Sequence, residues 1–147
     1  MTIIKDKNIV DDAWHIHQDD EPLLDNSIVN LTYWLENRDA LKASQQALGL
    51  LVDGDADSHS FKDDLSCFAI IAINIPVFAD GRAYSLCQLI RNQYNFMGEI
   101  RAVGDILPDQ ALYLTRVGFD TLEFENKTLA QLAINKLNDY SVFYQPA

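Results

Sequence analysis

A chain of 147 residues that is 48% hydrophobic can bury one ordinary core and falls short of two. Its formal charge of −11 is concentrated: residues 1–80 hold 15 acidic and 5 basic side chains, and residues 81–147 hold 7 and 6. That sign excludes the phosphates of nucleic acid as a partner; it suits a basic protein surface, and equally serves solubility.

No apolar run approaches the roughly 20 residues that span a bilayer. Residues 1–7 lack the apolar core and small-residue cleavage site of a signal peptide, so a cytoplasmic protein without membrane contact is expected. Cys67 and Cys87 have no second pair with which to build a thiolate zinc site or an iron–sulfur cluster, and they read as small buried apolar residues. Neither a Gly-x-Gly-x-x-Gly run nor a phosphate-loop lysine occurs, and no cofactor is expected.

In chain order, Thr2, Ile3, Ile4 and Lys5, a turn at Asp6, Lys7 and Asn8, and then Ile9 and Val10 onward to His17 predict a hairpin, a small sheet laid against the main domain. Residues 18–22 form an acidic loop. Asp25, Asn26 and Ser27 offer caps for a helix reaching Ala43, with Ile28, Leu31, Leu35 and Leu41 near one face. From Leu48 the period changes to alternating βα units. Strands are predicted at 50–52, within 68–75, and at 100–103 and 121–124, the second apolar enough to be covered on both faces. Helices are predicted at 82–95, from Pro108 to Gly118, and after Asn126, where Leu129, Leu132, Ala133 and Leu137 make a stripe. The expectation is one α/β domain. Residues 48–147 form a four-stranded, mainly parallel sheet of consecutive βα units, either an open sheet flanked by helices or half-barrel-like, and residues 1–47 add a β-hairpin and helix.

Ligands of parallel α/β proteins bind at the carboxyl ends of the strands. Asp53, Asp55, Asp80, Asp105 and Glu125 fall there, with Arg82 just beyond Asp80. Asp is a preferred helix cap, which accounts for these positions more simply than a magnesium ion held by Asp53, Asp80 and Asp105. Gly81 and Arg82 also suit a small anion, through a backbone that tolerates positive φ and a forked donor, with Arg101 as a second donor. Gly104 and Asp105 close the third strand. Asp109 complements a helix dipole, whereas Gln110 has less structural reason to be there and ranks higher as a ligand contact. Tyr84 and Ser85 complete the ligand-binding candidates, although Ser85 lacks a nucleophile elbow and a nearby histidine. His15, His17 and His59 read as surface residues. No residue set forces a reaction, so catalytic residues are unassigned and no metal ligand is named.

The stretches 78–85 (Phe-Ala-Asp-Gly-Arg-Ala-Tyr-Ser), 98–107 (Gly-Glu-Ile-Arg-Ala-Val-Gly-Asp-Ile-Leu) and 118–120 (Gly-Phe-Asp), with Trp34, Leu35, Arg38, Asp39, Tyr144 and Gln145, resemble a proteobacterial family of unknown function. Genes of that family commonly lie beside assimilatory sulfite reductase, and members are labelled probable oxidoreductases involved in sulfite reduction. The chain departs from the family pattern at Val77, where lysine is common, at Ala83, where glycine is usual, and at Pro108, where arginine is usual. Two basic positions are thereby lost, which weakens a sulfite or sulfate site. The resemblance implies a place in sulfur assimilation. Six-electron reduction needs electron-carrying cofactors, for which the chain has no signature. The first expectation is therefore an accessory or assembly protein that binds sulfite reductase or its electron donor. The second is a small enzyme or oxidoreductase acting on a sulfur oxyanion or phosphorylated metabolite at the carboxyl edge.

Overall fold

The computed structural model describes residues 1–76 and 81–143. Val77, Asp80, Tyr144 and Gln145, singled out above, lie outside the described residues.

Eight strands form one sheet in the order β2-β1-β8-β7-β6-β5-β4-β3. β1 (Thr2–Lys5) and β2 (Asn8–Val10) make the predicted hairpin, turned at Asp6 and Lys7, both with positive φ. It is not a separate small sheet, because β1 pairs antiparallel with β8 (Thr121–Phe124) through Thr2↔Phe124 and Ile4↔Leu122. The remaining strands, β3 (His15–Ile16), β4 (Ser27–Asn30), β5 (Leu48–Asp53), β6 (Ile70–Ile75) and β7 (Glu99–Gly104), run parallel to one another and to β8. The four expected strands are present, and the sheet is twice as wide, with mixed orientation.

Two of the unexpected strands have identifiable causes. Ile28 and Val29, expected on a helix, lie in β4, and the helix starts later, at α1 (Leu31–Glu36). Their β-branched side chains favour the pleated conformation, and Asn30 rather than residues 25–27 caps the helix, accepting 2.8 Å from the Tyr33 N–H. Asn37 then breaks the run, and α2 (Arg38–Ala43) follows, leaving Leu35 45% exposed. β3 is only two residues long and docks on β4 at the far edge.

Consecutive order fixes the shape. Right-handed crossovers between neighbouring parallel strands put every helix on one face. There α3 (Arg82–Gln88, extended by a π turn at Leu89–Gln93), α4 (Ala111–Val117) and α5 (Lys127–Phe143) cover the main core of Leu50, Ile71, Ile73, Ala102 and Leu122. Among the described residues no helix covers the opposite face. Val10 ends β2 on one edge and His15 begins β3 on the other, so the strap of residues 11–14 must bridge the whole sheet. Five residue steps reach at most about 18 Å, whereas a flat eight-stranded sheet would hold its outer strands about 34 Å apart. The sheet is accordingly curled into an open half-barrel. Trp14 of the strap packs inside the curl with Ile28, Ile70, Ala72, Val103 and Leu51.

On the helical side Trp34 is fully buried, 4.6 Å edge-to-face from Phe68. Its indole N–H donates 3.1 Å to buried Asp64, which also receives Arg38 at 2.9 Å and Lys42 at 3.1 Å. These contacts tie α1 and α2 to the 3-10 segment Lys62–Cys67 that precedes β6.

Candidate functional site

The carboxyl ends of the parallel strands form a rim, and the described stretches after β3, β5, β7 and β8 contribute carboxylates to it. β3 runs on towards exposed Asp19, Asp20 and Glu21, and Asp19 accepts 3.1 Å from the side-chain amide of Asn30 at the end of β4. β5 ends on Asp53, followed by exposed Asp55 and Asp57. β7 ends at Gly104 and exposed Asp105, and β8 at exposed Glu125. Arg82, the first residue of α3, faces this rim with its side chain 3.7 Å from Asp55, both 63% exposed. An ion pair so open to water contributes little to stability.

Capping explains fewer of these acids than expected. Asp57 does cap, accepting 3.0 Å from the His59 N–H. Asp53 instead accepts 3.1 Å from the Asn74 amide on β6. Before α4 the capping side chain is Gln110, whose Oε1 accepts 2.7 Å from the Leu107 N–H. Gln110 thus has the structural role that its sequence position did not suggest. Its Nε2 lies 3.5 Å from the Tyr84 hydroxyl, and Tyr84 packs edge-to-face on Tyr113 at 5.0 Å. Asp109 pairs with Lys136 of α5 at 2.8 Å.

Gly81 caps α3 at φ +90°, and an added Cβ there would meet nothing, so the left-handed backbone alone explains the glycine. Gly104 has φ +98°, and a Cβ would also run into the Asn74 side chain and come within 2.6 Å of the Ile75 carbonyl oxygen. Between the β5 loop and α3 lies a cleft of about 440 Å³ whose lining includes Asp55, Ser58, Gly81, Arg82 and Ser85. The structure therefore brings Gly81, Arg82 and Ser85 together, and separately Tyr84 with Gln110.

Arg101 is not with them. It projects from the concave face of β7 and is 4% exposed, donating to Glu99 and Thr121 and, at 3.0 Å, to Asp12 of the strap. It is committed inside the curl and supplies no second donor beside Arg82. Arg91 is likewise occupied, bridging the Phe96 and Gly98 carbonyls to Asp120. His17 is 3% exposed rather than on the surface, its ring tilted 51° against that of Tyr33 at 4.8 Å and its Nε2 3.0 Å from the Glu21 carbonyl oxygen. His15 bonds the Ser27 hydroxyl at 3.1 Å. Among the described residues no three His, Cys, Asp or Glu side chains converge as a metal would require. No helix among them is long and apolar enough to cross a membrane.

The concave polar cluster of Asp12, Glu99, Arg101, Thr121 and Glu123 was not foreseen. Arg101, Thr121 and Glu123 are the polar members of alternating strands, which sequence reading assigns to solvent unless the strap is known to cross above them.

The family model for a bacterial protein of unknown function, DUF934, matches residues 49–147, from the second residue of β5 onward. The chain belongs to this DUF934 family. Within the family match lie β5 to β8, Arg82 with its cleft, and Arg101; the strap and the acidic loop after β3 precede it. No curated protein matches the chain.

Proposed function

We propose that this DUF934 protein is an accessory or assembly protein of assimilatory sulfite reduction, acting by binding sulfite reductase or its electron donor with its acidic carboxyl edge. One observation carries the mode of action. Among the described residues, the strand ends and the loops on them present Asp19, Asp20, Asp53, Asp55, Asp57 and Asp105 along one rim, and Arg82, the cation on it, already faces Asp55. A sulfur oxyanion approaching Arg82 is repelled by that rim, whereas a basic protein surface is attracted and steered by it. The pathway rests on the resemblance of residues 78–85, 98–107 and 118–120 to the family encoded beside sulfite reductase.

The test is a binding measurement between the full chain and purified sulfite reductase, and separately its electron donor, across a series of salt concentrations. Stoichiometric binding that weakens steeply with salt is expected with one of them. Absence of binding to both at low salt sinks the reading.

The cleft beside Arg82 favours a second reading, a small enzyme acting on a sulfur oxyanion or phosphorylated metabolite. At about 440 Å³ it has room for such a molecule, with Gly81, Arg82 and Ser85 on its wall. Saturable sulfite or phosphate binding that Arg82→Ala abolishes is the result that would promote it.

A further inference from the structure

β2 is the outermost strand of the half-barrel, and among the described residues no strand pairs with its outward edge. Ile9, in register with Ile4, lies on the helical face, where α5 runs alongside. Ile9 is 39% exposed and Leu132 of α5 is 45% exposed. Between them runs a groove of about 500 Å³ lined by Ile9, Lys127, Thr128, Gln131, Leu132 and Asn135. Leu132 belongs by sequence to the apolar stripe of α5, yet the core of this copy takes Ala130, Ala133, Ile134 and Leu137 and leaves Leu132 outside.

We propose that this edge and groove are the contact between two copies of this chain, joined about a two-fold axis through β2. An open strand edge presents unpaired N–H and C=O groups that another strand can satisfy, and a two-fold axis makes two copies of one strand antiparallel. Charge suits this groove. No carboxylate lines it, so two copies that each carry −11 meet over it without setting like charges against one another there; Asp11 and Asp12 lie past the end of β2, and Asp12 is held by Arg101. The opposite edge, β3, offers only two residues to a partner strand. In the pair the sheets become continuous, Ile9 faces its counterpart, and Leu132 of each copy closes the groove of the other.

Sedimentation of the full chain across a concentration series at physiological salt tests this, together with Ile9→Asp and Leu132→Asp. Gln88→Asp, which adds the same charge at the exposed end of α3, serves as a control. A dimer is expected for wild type and control, with the dissociation constant raised roughly 100-fold or more in both groove variants, because each buries an unpaired charge against its partner. Circular dichroism checks that the variants fold. Ile9→Cys adds a readout independent of their stability: oxidation should trap a covalent dimer that the wild type does not form. A monomeric wild type, a dimer indifferent to both Asp variants, or no cross-link through Ile9→Cys overturns the proposal; the last two outcomes place the interface elsewhere.

Discussion

Arg101 and Asp12 meet at 3.0 Å across the concave face of the sheet, although 89 positions separate them in the chain. The contact fastens the strap to the strand at the centre of the half-barrel. The Arg101 side chain is 5% exposed and also holds Glu99 at 3.0 Å, so its removal leaves carboxylates facing one another inside the curl. Arg101→Met should cost about 3 to 5 kcal/mol in urea denaturation. Asp12→Asn should cost less, since the Asp12 side chain is 29% exposed and water replaces part of the lost contact. Limited proteolysis of Arg101→Met should cut near residues 11–14. Equal stability of Arg101→Met and wild type contradicts the arrangement.

Glu123 lies on the same face, and burial pushes its carboxyl above the ordinary value of 4.5, with Arg101 opposing the shift and Asp12 adding to it. A carboxyl raised in the folded state favours folding while protonated, and that contribution is lost as pH rises from the unfolded value through the folded one. Glu123→Gln should therefore stabilise the protein at neutral pH and make little difference below pH 4.5. Thermal melts at both pH values check the sign.

Asp64 behaves oppositely. Burial alone would raise its carboxyl, but hydrogen bonds from Arg38, Trp34 and Lys42 outweigh this and hold it below the ordinary value of 3.8. Its contribution is complete above that value and is lost as pH falls through the depressed folded one. Asp64→Asn should destabilise by about 1 to 3 kcal/mol at neutral pH. The difference from wild type should shrink as acid unfolding proceeds below pH 3.8.

Cys87 is fully buried and its thiol is pushed up to about 12, burial being the main cause. It should resist alkylation at pH 8 in the native protein and react once urea unfolds the chain, while half-exposed Cys67 reacts first. Mass spectrometry of the labelled peptides distinguishes the two.

The βα half of the fold was legible because its signals are local. Ile70 to Ile75 is an unbroken apolar run apart from Asn74, Pro108 and Gly118 bracket the segment that becomes α4, and Asn126 accepts the Leu129 N–H as a cap should. The N-terminal half was less legible because its placement is long-range. Ile28 fits a helical stripe with Leu31 and Leu35 as well as it fits a strand, and only pairing with β5 decides. A two-residue β3 carries too little pattern to be read, and without it nothing showed that residues 11–14 cross the sheet. The candidate site divides likewise. Arg82 and Gly81 stand where a strand–loop–helix reading puts them, whereas Arg101 points into a covered interior that exists only because of the strap.

The most direct measurement is growth on sulfate as sole sulfur source in the native host lacking this gene, complemented with variants expressed to equal levels. The account predicts that Arg82→Ala restores growth like wild type and that Asp19→Lys, Asp20→Lys and Asp57→Lys combined does not, since the exposed rim acts by docking. Restoration by the charge-reversed protein together with failure of folded Arg82→Ala would contradict it and move the function into the cleft beside α3.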